Sequence, residues 1–201
     1  MQTSRLSILF RAWLPVLVLA CIACNNPFDT RDPEKPGAGG VAIKPANTPE
    51  NVLSNLESSF ESLSIQDYLD VFAGEFSFHP DPEDSLLYEQ DFKNGWDLAQ
   101  ETVFANNFLI RHNFADVEGN PVEVNASYEY EAGFDLYEYH YQMFVPLRDA
   151  SGGPAQTIEI EGYAFIRFLE DDQGNWSILD WEDHRLTADS LTWGALRARH
   201  I

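Results

Sequence analysis

The chain has 201 residues, with 12 lysines and arginines against 33 aspartates and glutamates, a formal charge of −21. A field of that sign repels phosphate backbones and anionic headgroups, which excludes nucleic acid as a partner. A hydrophobic fraction of 44% and an aromatic fraction of 13% exclude general disorder and point to a folded acidic domain.

The first 23 residues read as an export signal. Arg5 and Arg11 precede an apolar run, Ala12 to Ala23, that is interrupted by Pro15 and ends beside Cys21 and Cys24. A spanning helix needs roughly 20 apolar residues, so cleavage is expected rather than retention. The junction resembles a bacterial lipoprotein signal, in which the cysteine after the cleavage site is acylated. Val18-Leu19-Ala20-Cys21 fits the usual residue classes, whereas Cys24 stands where apolar sequence turns polar; Cys24 is favoured, with Cys21 as the alternative. The rest of the chain has no cysteine, so its fold must hold without disulfides or a thiol nucleophile. The resemblance implies a protein of the bacterial cell envelope, lipid-anchored to a membrane, the outer one rather than the inner.

Residues 24 to 47 carry Pro27, Pro33, Pro36 and Pro45 with Gly37, Gly39 and Gly40, and show little apolar periodicity, which reads as a tether. The domain, residues 48 to 201, opens at Thr48-Pro49-Glu50, a hydroxyl cap followed by proline and an acid. Val52, Leu53, Leu56, Phe60 and Leu63 recur at helical spacing, and Ser64-Ile65-Gln66-Asp67 restarts a second helix that Gly74 is expected to end. Phe76-Ser77-Phe78 suggests a short strand, Pro82 to Tyr88 a helical turn, and Trp96 to Asn107 a further helix.

Beyond Pro121 the period becomes two. Strands are predicted at Val122 to Tyr130, Leu136 to Pro146, Thr157 to Glu170 and Trp176 to His184, the last two joined by an Asp171 to Asn175 turn. Short connections and alternating faces predict one curved antiparallel sheet. Ser190 to Arg199 suggests a closing helix whose basic end, Arg197 and Arg199, suits the helix dipole. Helices first and strands after make an α+β order.

From Thr48 to His184 this arrangement resembles the NTF2-like, or SnoaL-like, superfamily. The bent opening helix pair, Gly174-Asn175-Trp176-Ser177-Ile178 and Trp181 carry the likeness. It implies an α+β cone, with N-terminal helices packed on four long strands plus one short strand. More narrowly, Cys24 to Glu34 followed by such a domain looks like uncharacterised bacterial lipoproteins, which bring no activity. The superfamily implies three uses: acid–base enzymes, lyases or isomerases, with Asp and His in the pocket; non-catalytic binders; and dimerisation modules. Fold alone does not choose among them. The leading expectation is a non-enzymatic module that binds a small apolar ligand or another envelope protein, without cofactor or metal, and with a homodimer as one outcome.

The residues offer few chemical candidates. His140 with Glu138 could act as a base, although both suit the wet face of a strand. Asp70 and His112 are further candidates. His79-Pro80-Asp81-Pro82-Glu83-Asp84 sets an imidazole near three carboxylates, but an acidic helix start accounts for them without a metal. In Glu182-Asp183-His184, alternation sends Asp183 away from its neighbours. Trp96, Trp176, Trp181 and Trp193 suit a core or an apolar pocket. Phosphate loops, serine elbows and paired-histidine zinc helices are absent.

Overall fold

The computed structural model describes residues 42–110, 122–131, 136–147 and 156–200. The signal, both cysteines, the tether as far as residue 41 and His112 lie outside them.

Thr48 caps α1 (Pro49–Ser62) by accepting the N–H of Asn51, and Leu63 ends it in a left-handed conformation at φ 52°. The predicted stripe is its buried face: Val52, Leu53, Leu56 and Phe60 are fully enclosed. Ser64 caps α2 (Ile65–Leu69) through the N–H of Asp67. The short strand is longer than its alternation suggested. It forms β1 (Phe72–His79), so Gly74 lies inside a strand instead of ending a helix. α3 (Pro82–Leu87), α4 (Glu89–Phe92) and α5 (Leu98–Ala105) follow, and α5 runs into a π-helical turn at Asn106–Ile110. Asp97 and Gln100 form a full capping box at the start of α5, which places that helix two residues later than Trp96.

Four long strands come next: β2 (Glu123–Glu131), β3 (Leu136–Leu147), β4 (Gln156–Glu170) and β5 (Trp176–Arg185). They pair antiparallel in sequence order, and the sheet runs β1-β5-β4-β3-β2. The α+β architecture expected of an NTF2-like domain is therefore present, with one correction: β1 pairs parallel to β5, which makes the sheet mixed. Hairpin logic sets direction only between strands joined by a short turn, and here His79 of β1 and Asp180 of β5 lie 101 residues apart in the chain. The hairpin joining β4 and β5 closes as predicted, with Gly174 at φ 81° and Asp171 accepting the N–H groups of Gln173 and Asn175.

The inner sheet face packs against the helices. On β3 it presents Tyr137, Tyr139, Tyr141, Met143 and Val145, all 7% exposed or less. Ile160, Ala164, Ile166, Ile178 and Trp181 continue it across β4 and β5. Each fully buried apolar side chain of this size contributes about 1.5–3 kcal/mol. Thr192 caps α6 (Trp193–Ala198), which inserts Trp193 and Leu196 into the same core.

Candidate functional site

The predicted candidates do not come together. His140 and Glu138 share the outer sheet face, joined at 2.8 Å, and the imidazole stacks on Tyr163 with ring centroids 5.8 Å apart. Asp70 is the C-cap of α2, exposed and bonded by Gln66 at 2.6 Å. His79 pairs with Asp180 of β5 at 2.9 Å and not with its acidic sequence neighbours. Among the described residues no group of three or more histidine, cysteine and acidic side chains is arranged to hold a metal.

The acids that matter structurally are inside. Asp81 and Asp84, on either side of Pro82, converge on Arg185 at the end of β5, whose Nε donates to Asp81 at 2.9 Å and Nη2 to Asp84 at 2.8 Å. Burial opposes ionisation of Asp81, but the N–H groups of Arg185 and Glu83 hold its carboxyl below the usual range. Asp84 also accepts the hydroxyl of Thr192, tying α3 to the cap of α6.

Deeper still, Asp183 is wholly buried, because alternation on β5 sends it inward between the exposed Glu182 and the half-buried His184. Its carboxylate accepts the Tyr141 hydroxyl at 2.6 Å and the Gly194 N–H at 2.8 Å, and the same hydroxyl accepts the Trp193 N–H at 3.1 Å. Burial pushes the Asp183 carboxyl up to about 7. Gly162 makes this possible, since a Cβ there would strike the Tyr141 hydroxyl and the His184 carbonyl.

At the core centre Arg197 and Glu101, both fully enclosed, form a two-pronged pair with Nε–Oε2 at 2.8 Å and Nη2–Oε1 at 2.9 Å. Glu101 also accepts from Tyr68 and, at 2.6 Å, from Trp96. Arg197 Nη1 and the indole nitrogens of Trp181 and Trp193 have no hydrogen-bond partner among the described residues. Ring faces surround the guanidinium instead, its carbon 4.1 Å from the Phe78 centroid and 5.4 Å from that of Trp193. These groups could transfer protons only if something reached them, and Asp183, Glu101 and Arg197 are all fully buried.

Among the described residues the opposite end of the inner face is open. There each of the four antiparallel strands except β5 turns an aromatic ring inward (Tyr130, Tyr137, Phe168), and Trp176 at the start of β5 completes a groove closed by Pro49 of α1. The cavity measures about 490 Å³, within the range of small-ligand sites. Tyr130 is 51% exposed, and its centroid lies 4.9 Å from that of Tyr137; Phe168 meets Tyr137 edge-on at 5.1 Å. The Tyr137 hydroxyl donates to Glu50 at 2.8 Å, and burial followed by that carboxylate raises it well above the usual phenol range. Sequence reasoning placed Trp176 among the aromatics that could line a pocket, but did not single out Tyr130 or Phe168. Their signal was the inner parity of aromatic positions at one end of successive strands.

No family model matches the chain, and no curated protein matches it. Among solved structures it is similar to AusH from Aspergillus nidulans, with 12% identity, a TM-score of 0.47 and coverage of 68% of this chain and 84% of that one. It is also similar to the hexachlorocyclohexane dehydrochlorinase LinA-type3 from Novosphingobium barchaimii, with 9% identity, a TM-score of 0.47 and coverage of 69% and 84%. RV0760c from Mycobacterium tuberculosis, solved in complex with estradiol-17β-hemisuccinate, gives 11% identity, a TM-score of 0.46 and coverage of 69% and 92%. Likenesses at this level assign no activity or ligand to this chain.

Proposed function

We propose that this chain is a membrane-anchored lipoprotein of the bacterial cell envelope, acylated at Cys24, whose NTF2-like domain is a non-enzymatic module that binds a small apolar molecule. One observation carries the binding reading: the aromatic groove of Pro49, Tyr130, Tyr137, Phe168 and Trp176 is open, while the interior acids and bases are sealed among themselves. An enzyme needs acid and base groups converging on substrate, and the described groove lining offers Glu170 with no histidine, lysine or arginine beside it. A binder needs only the cavity. Trp176 supplies the readout: titration of the full-length protein with the neutral apolar dye Nile red should saturate, and Trp176→Leu should abolish saturation while the unfolding curve stays cooperative. Absence of any saturable site would refute the reading.

The anchoring half rests on the sequence of the export signal and on a domain too acidic to adhere to anionic lipid by itself. Metabolic labelling with a fatty acid should mark the wild-type chain, persist in Cys21→Ser and vanish in Cys24→Ser. Label retained in the double variant would end the lipoprotein proposal.

A further inference from the structure

We infer that the aromatic groove selects organic cations, an ammonium group carried on a small apolar skeleton; this rests on the small-molecule reading above. Aromatic faces carry negative electrostatic potential and attract an ammonium within about 6 Å of the ring centroid, most strongly for tryptophan and tyrosine. The groove offers Trp176, Tyr130 and Tyr137, and its rings meet at angles: 40° between Tyr130 and Tyr137, 79° between Tyr137 and Phe168. Walls set at angles can surround a compact head group, which a flat stack cannot. Tyr139 and Tyr141, further along the same strand, are not among the groove's lining residues.

Charge agrees with geometry. Glu170 lines the groove, Glu50 lies just behind the Tyr137 hydroxyl, and no lysine, arginine or histidine is among the described lining residues. The whole chain, at −21, carries the same sign. An anionic ligand would meet repulsion with no compensating donor, and a neutral one would leave Glu170 unused. A cation would gain from both rings and carboxylates.

Choline and its uncharged carbon isostere 3,3-dimethylbutan-1-ol have the same shape and differ by one charge, so they isolate the claim. Titration of the full-length protein, followed by NMR and by the part of the tryptophan fluorescence change that Trp176→Leu removes, should show choline binding about tenfold tighter than the isostere, with 3,3-dimethylbutanoate not binding. Glu170→Gln, an exposed position, should narrow that ratio while the unfolding curve stays cooperative. Equal binding of choline and the isostere, or Nile red binding without choline, would overturn cation selection and leave the binding module standing. Failure of choline, isostere and Nile red alike would overturn both.

Discussion

The two ends of the inner sheet face are built from the same side chains and used in opposite ways. Towards α6, Tyr139 and Tyr141 are buried, and Tyr141 spends its hydroxyl on Asp183 and the Trp193 N–H. At the other end, on the same strand and the same parity, Tyr137 joins Tyr130 around open space. The difference lies in what covers them. α6 and the π-helical turn press Trp193 and Phe108 onto the core, whereas among the described residues the helical cover at the groove is the first turn of α1. Tyrosine content therefore says little about function; the helix above it decides whether a ring is mortar or lining.

The largest test of the sealed end is Arg197→Met. It strands the Glu101 carboxylate without its cation and should cost about 3–5 kcal/mol in urea unfolding, with much of the loss regained by adding Glu101→Gln. Recovery by the double variant identifies the cost as an orphaned charge and not a cavity. Next, Tyr141→Phe removes one hydroxyl that serves two partners, and about 1.5–3 kcal/mol of stability should go with it.

Asp183→Asn should change a slope more than a level. The folded carboxyl titrates at about 7 against an ordinary value of 3.8, so the native state binds the extra proton between those limits. That contribution to stability is full below about pH 4, falls as pH rises to about 7 and is then flat. Asp84, Arg197 and Tyr141 face the same carboxyl, and Asp81 titrates in the opposite sense, so the clean measurement is wild type minus variant across pH 4 to 8. A difference that does not vary with pH would mean Asp183 is ionised throughout.

At the open end effects on folding should be small and effects on binding large. Trp176→Leu is expected to cost about 1 kcal/mol or less in stability, since the ring is only partly covered, while removing saturable ligand binding. His140→Gln on the outer face should stay within about 0.5 kcal/mol and leave the groove untouched, as expected of an exposed pair. If it altered binding instead, the division between the faces would fail.

Most of the frame was legible because its signals are local. Thr48 and Ser64 announced their helices, the Val52 to Phe60 spacing announced a buried stripe, and strict alternation on β3 sorted Tyr137, Tyr139 and Tyr141 from Glu138 and His140. Failures came where distant chain decided. Arg197 read as a charge suited to a helix end, yet its partner Glu101 lies 96 residues earlier and draws it into the core. Asp81 and Asp84 read as a helix start, and Asp81 does cap α3, but both also clasp Arg185 a hundred residues on. Asp183 was assigned to the other face from its neighbours, correctly by alternation, but alternation has no vocabulary for the hydroxyl and the N–H that make burial tolerable.

Gly162 ties these interior groups into one inheritance. Any side chain at that position displaces the Tyr141 hydroxyl, and losing that hydroxyl exposes Asp183 and the first turn of α6 to an unmet demand. Positions 141, 162 and 183 can thus change only as a set, whereas positions 130, 168, 170 and 176 can each change without disturbing the core, at a cost to binding alone. Descendants of this domain should keep one end as a fossil and rewrite the other.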